Sequence, residues 1–311
     1  MRNSFFVVLI TSLLFPLTYT DYGFEIFSLP GDAKTQSLGG ISVSNSMSLV
    51  DSYSLNAFHE TARSLFSYGK LYDGIIDYFQ FSYIAANHNK SKMGISILSK
   101  SIDGIPNTQE AWSDIGIPIS QDNIDYNKIS YYKDTQLALI FFYSFHSLLG
   151  NTSFKLKPIY TSLLGDKAYG LSSDFGFSRN FNNKTTYGVM INDLISFYSW
   201  NNSNTYSIYP KIRSLLAFTS NNSSIYTELF MSTNTSSINP MVYRLGYEYL
   251  INDTFSMRCG YSNIKSFSIG FGFIYNDVEY SYSFNPNLID IVLGHDHHFS
   301  ILLDLKKQKN G

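Results

Sequence analysis

A period of two, repeated along most of the chain, limits its fold more than any other feature. Thr135, Leu137, Leu139, Phe141, Tyr143 and Phe145 share one face of an extended run. Met241, Tyr243, Leu245, Tyr247 and Tyr249 alternate with Arg244, Gly246 and Glu248. Phe255, Met257, Cys259 and Tyr261 alternate with Ser256, Arg258, Gly260 and Ser262. Val278, Tyr280, Tyr282 and Phe284 do so with Glu279, Ser281 and Ser283, and Phe299, Ile301, Leu303 and Leu305 with Ser300 and Asp304. Successive side chains of a strand point to opposite faces, so each run reads as a strand with one apolar and one polar side.

Candidate strands lie near 64–70, 77–86, 92–101, 134–145, 152–160, 167–178, 185–195, 208–218, 224–232, 241–250, 254–262, 265–275, 277–284 and 297–305. That is about 14, an even number, as single-chain bacterial barrels require. Tight connections at Asn87–Ser91, Asn180–Lys184, Thr219–Ser223, Ile251–Asp253 and Asn276 interleave with longer ones at Ile102–Lys133, Ser196–Ser207, Thr233–Pro240 and Asn285–Asp296. Alternating tight turns and long loops mark outer-membrane barrels. Leu71–Ile76 and Asn263–Ile264 depart from the pattern, being short on the long-loop side.

Arg213, Arg244, Glu248, Arg258, Glu279 and Asp174 fall mid-strand. A membrane barrel would turn them into a wet or plugged lumen, whereas a secreted β-sandwich would expose them on its outer face; alternation alone does not separate the two. Composition favours the barrel. Aromatics make up 17% of the residues, with 25 Tyr and 25 Phe, yet mean hydropathy is only −0.07. Few charges and many aromatics suit two-sided strands, and no internal repeat is visible. The expected fold is therefore all-β: a transmembrane antiparallel β-barrel of about 14 strands with an N-terminal plug or hatch.

Met1-Arg2-Asn3 followed by the uncharged apolar run Ser4–Leu17 has the layout of a secretory signal peptide, with a cut expected near Thr20/Asp21. The expected domains are a signal peptide at 1–20, a plug or hatch at 21–63, and a barrel with a short polar tail at 64–311. No second apolar run reaches the length of a membrane helix. Cys259 is the only cysteine, so no internal disulfide forms. A net charge of −2 excludes a general basic field for nucleic acid.

Motifs for chemistry are sparse. His295 and His297 would share a strand face as half of a metal site, but no other ligand clusters with them, and a polar loop entering the last strand explains them as well. His59-Glu60 lacks the helical two-histidine zinc context. Ser172-Ser173-Asp174 lies mid-strand with no positioned His and no nucleophile elbow. Gly39-Gly40 lacks the pattern of a phosphate loop. No enzyme activity, cofactor or metal is expected. Trp112 and Trp200 lie in long loops.

The segment Phe24–Glu60 carries a family resemblance. Ala33-Lys34, Leu38-Gly39-Gly40, Ile41–Val43 and Asn56-Ala57 resemble, in order, the opening of the PorV/PorQ family, itself related to the FadL-like outer-membrane barrels. Lys34 stands where that family usually has Arg, and no Pro separates Asn56 from Ala57. Further along, Gly104–Thr108, Gly165–Gly176, Ile191–Leu194, Tyr243–Tyr249, Met257–Tyr261 and His298–Ile301 resemble family segments in the same order. The terminal aromatic of many outer-membrane barrels is missing; Leu305 is followed by a polar tail.

The resemblance implies an outer-membrane location in contact with lipid. Lys34, Leu38, Gly39, Gly40 and Asn56 would shape the plug, with Arg244, Glu248 and Arg258 facing inward to tether it. It further implies work with a type IX secretion system, with secretion-system components or secreted proteins as partners docking on the long loops. The alternatives are a FadL-like channel for hydrophobic small molecules with a movable hatch, or a structural or adhesive surface protein.

Overall fold

The computed structural model describes residues 18–20, 23–43, 47–54, 61–86, 91–111, 124–148, 150–201, 205–234, 240–288 and 294–305. Asn56, His59-Glu60, Trp112, most of the signal segment and the polar tail lie outside the described residues.

The strands in chain order are β1 (Thr18–Thr20), β2 (Ala62–Leu71), β3 (Ile76–Ile84), β4 (Ser91–Asn107), β5 (Ser130–Ser147), β6 (Gly150–Leu163), β7 (Asp166–Asn180) and β8 (Thr185–Trp200). They continue as β9 (Thr205–Ile208), β10 (Lys211–Thr219), β11 (Ser223–Ser232), β12 (Met241–Leu250), β13 (Phe255–Ser262), β14 (Ser266–Tyr275), β15 (Val278–Asn285) and β16 (Asp296–Leu305). Leaving out β1 and β9, fourteen strands pair antiparallel with their chain neighbours. β16 pairs with β2, from His297 opposite Lys70 to Leu305 opposite Ala62, and this seam closes the ring. β9 extends the edge of β8, and β1, which precedes the expected signal cut, pairs in parallel with β9.

The burial pattern separates barrel from sandwich. Within β11 to β13, Glu228 and Arg258 are 1% and 5% exposed, while Met257 and Leu245 are 54% and 53% exposed. Charges point in and large apolar side chains point out, the reverse of a soluble sheet. Bare Phe, Tyr, Leu and Ile side chains recur on the outer face from β2 through β16.

Three boundaries differ from the sequence reading. β4 and β5 run well past 101 and before 134, because their hairpin continues beyond a register shift between Ile102 and Ile105. β8 runs on to Trp200 through a bulge in which Asn192, Asp193 and Leu194 oppose Asp174 alone. The expected strand 208–218 is split at Tyr209-Pro210, since Pro lacks the N–H that a ladder needs. The turns after β3, β5, β7, β10, β12 and β14 lie on one rim, and the longer connections, including those after β4, β8, β11 and β15, lie on the other.

Candidate functional site

Residues Gly23–Val43 and Met47–Ser54 fill the lumen. Asp32 caps the short helix α1 (Ala33–Ser37) by accepting from Thr35 N at 2.6 Å. The helix ends in Leu38, followed by Gly39 and Gly40 at φ +75° and +88°. Such angles suit glycine, and here they lay the chain flat on the wall. A Cβ on Gly260 would sit 2.1 Å from Leu38 C and Gly39 N, and one on Gly39 would sit 2.7 Å from Tyr261 O. Leu38 is fully buried there beside Ile41 and Val43.

Charged groups of the wall hold the segment from one side. Lys34 Nζ lies 3.0 Å from Glu248 Oε1, which also accepts from Arg258 Nε at 2.8 Å. Arg258 reaches on to Glu279 at 2.7 Å. Arg244 donates to Gly40 O at 3.2 Å and to Glu228 at 2.5 Å. Glu228 further accepts from Arg213 at 2.8 Å and from Tyr53 Oη at 2.7 Å. Burial is the largest single influence and would lower the Lys34 pKa, but Glu248, Glu279 and Tyr226 together outweigh it and leave the ammonium raised. Burial, with Glu228 beside it, pushes the Tyr53 phenol well up.

A second group of charges sits across the lumen on β6 to β8. Lys157 Nζ lies 2.6 Å from Asp174 and 2.9 Å from Asp193, with Ser172 donating to Asp193 at 2.5 Å. Lys155 donates to Val50 O at 2.8 Å. Between the two groups, Gln36 Oε1 accepts from Ser283 at 3.0 Å and lies 3.1 Å from His298 Nδ1. Gly31 N donates to Asp51 at 2.9 Å, and Arg213 lies 3.9 Å from the same carboxylate.

Lys34, Leu38, Gly39 and Gly40 thus meet the wall, and Arg244, Glu248 and Arg258 all point from the wall into the lumen. Sequence reading did not single out Glu228, Tyr53, Asp51, Gln36, Lys155, Lys157 or Asp193. Lys155 and Lys157 alternate with Phe154 and Leu156, a signal in plain view. His298 faces inward against Ser67 at 2.7 Å, whereas the rings of His295 and His297 both lie against Phe284 on the outer face, with His297 also 2.8 Å from Tyr282. Among the described residues no three His, Cys, Asp or Glu side chains gather as a metal site.

A cavity of about 260 Å³ lies between the plug and the long-loop rim. Phe24, Phe27 and Pro30 of the plug, Phe230 and Val242 of the wall, and Lys211, Arg213, Asn192 and Lys265 line it. A larger apolar hollow between Met257 and Phe271 is on the outer face.

No family model and no curated protein matches the sequence. Solved structures do match its fold. The toluene transporter TbuX of Ralstonia pickettii superposes with a TM-score of 0.63 at 9% identity, covering 90% of this chain and 100% of that one. The toluene transporter TodX of Pseudomonas putida gives 0.57 at 12%, covering 89% and 97%. A FadL homologue of Pseudomonas aeruginosa gives 0.55 at 10%, covering 88% and 98%. The chain has the fold of these FadL-like barrels; nothing in the comparisons adds to the PorV/PorQ resemblance.

Proposed function

We propose that this FadL-like barrel is a bacterial outer-membrane channel for hydrophobic small molecules, with the N-terminal segment as its hatch. The observation that carries the reading is the lumenal cavity, part aromatic and part polar, floored by a segment that only noncovalent contacts hold to the wall. Concave sites of mixed lining are where small ligands bind. The outward belt of apolar side chains supports membrane placement, since a contiguous surface of that kind is unstable in water. Arg244, Glu248, Arg258 and Glu228 act as tethers, and Lys34, Gly39 and Gly40 seat the hatch. TbuX and TodX, transporters of toluene, share the architecture. The secretion-docking alternative rests on the sequence resemblance alone.

The test is uptake of a labelled hydrophobic compound by cells with and without the protein, in a Cys259→Ser background. Ser54 and Ser178 have their hydroxyls 2.5 Å apart, so Ser54→Cys with Ser178→Cys should pin the hatch to β7 on oxidation. Uptake is expected to fall on oxidation and to return on reduction. Uptake that does not depend on the protein, with secreted proteins co-purifying through the long loops, would replace the channel by the docking role.

A further inference from the structure

We infer that a second hollow, at the long-loop rim beside the first residues of the plug, binds a small organic ammonium ion. The inference needs the barrel and its plug but not the channel reading.

The hollow measures about 500 Å³. Tyr198 and Trp200 of β8 and Tyr206 of β9 bring three aromatic rings to it. The Tyr198 and Trp200 rings stand at 87° with their centroids 5.8 Å apart, so together they form a corner. The charged side chains of the lining are Glu25 of the plug, Lys100 of β4 and Asp134 of β5.

These charges do not balance, since two carboxylates share one ammonium. Lys100 Nζ lies 3.4 Å from Asp134. Glu25 is partly buried, and among the described residues it makes no ion pair. Its carboxylate accepts from neutral groups, Gly23 N at 2.9 Å and Gln136 Nε2 at 3.1 Å. The Gln136 amide is itself held, with its Oε1 accepting from Ile26 N at 3.2 Å. A carboxylate drawn out of water without a counter-ion is costly. The excess charge also converges on the aromatic corner, because the Tyr198 hydroxyl stands in the field of both Glu25 and Asp134.

The chemistry of the occupant follows. A cation over a ring face is attracted by the ring quadrupole, more strongly where water is excluded, and aromatic cages are how quaternary ammonium groups are recognised. Here the unmatched carboxylate supplies the counter-charge. An uncharged hydrocarbon would leave Glu25 unmatched, and an anion would meet the excess of like charge. A cavity of about 150 Å³ is enough for benzene, so the hollow has room for an ammonium group with its carbon substituents. Free amines and zwitterionic lipids both carry such a head group, and the experiment separates the two sources.

The experiment measures equilibrium binding of radiolabelled choline, and of its uncharged carbon isostere neohexyl alcohol, to the full mature chain in phosphatidylglycerol vesicles, with protein-free vesicles as the blank. Choline should bind about tenfold tighter than the alcohol, and less tightly at high salt. Glu25→Gln keeps the shape of the side chain and should erase that advantage; Trp200→Leu should reduce it. Lys100→Met should instead tighten choline several-fold, because Asp134 is then released to the ligand, a direction that loss of the fold would not produce. Equal binding of the two compounds, or a choline affinity that Glu25→Gln leaves unmoved, overturns the inference. No choline binding also overturns it, as it would if the amino terminus left by a cut near Thr20/Asp21 served as the counter-ion. Adding phosphatidylcholine to the vesicles identifies the source. A fall in choline binding assigns the site to a lipid head group, unchanged binding assigns it to a free amine, and either result upholds ammonium recognition. Uptake of a hydrophobic compound is measured in parallel; its absence removes the channel and leaves this site standing.

Discussion

Gly260 shows how closely plug and wall approach. Its missing side chain is where the backbone of Leu38 and Gly39 runs. Gly260→Ala should push that backbone off the wall and cost about 1–3 kcal/mol, the range for overpacking, seen as a lower temperature of the mobility shift between folded and boiled protein on a gel. Gly165→Ala is the comparison: nothing lies within 4 Å of its Cβ, so only the strain of φ +88° is incurred. Glu228 is the other sensitive residue, accepting from Tyr53, Arg213 and Arg244. Glu228→Gln should leave two guanidinium groups short of a counterion, and breaking such a buried pair costs about 3–5 kcal/mol; the same gel reads it. Arg244, Glu248 and Arg258 are legible as inward residues because apolar side chains flank each of them on both sides and take the opposite face. Glu228 was not singled out, and no pattern along β11 could say that it meets Tyr53, a contact spanning 175 residues.

At the scale of elements, strand existence follows from alternation, while strand ends and bulges do not. The β8 bulge has no proline or glycine to announce it; Asn192-Asp193-Leu194 reads like any polar step, and Asp193 takes φ +55°. Its purpose is visible only in three dimensions, where the bulge swings Asp193 inward to share Lys157 with Asp174. Removing the cation should therefore be worse than removing the whole cluster. Lys157→Met alone should lower the unfolding temperature more than Lys157→Met combined with Asp174→Asn and Asp193→Asn, because two carboxylates facing each other without a cation are costlier than a neutral polar group. If the triple variant is the less stable, the cluster is not governed by charge. The β4–β5 hairpin is misjudged from sequence for a related reason: its polar ends look like loop but remain paired as far as Asn107 and Ser130. Surface proteolysis of intact cells should accordingly cut between 108 and 129 and between 286 and 295, and spare 102–107; cleavage within 102–107 would show that the hairpin stem does not hold.

For the molecule as a whole, closure of the ring and the path of the chain before it are the informative features. Loop asymmetry and strand count mark the barrel in the sequence, and the period of two puts Arg244, Glu248 and Arg258 on its inner face; the closing register, which seats Arg63 on Asp304, 241 residues away, is not legible there. The segment that fills the lumen comes first in the chain, and the strand that seals the ring comes last. The seam that encloses the interior joins the two ends of the barrel, so its closure is expected to trap what already lies inside. On that expectation, making the vessel and loading it are one event. Residues 61–311, expressed with residues 21–60 as a separate peptide, should form a barrel whose heat resistance stays at the level of the barrel alone. Recovery of full resistance by the added peptide would mean that the closed ring still opens wide enough to admit it.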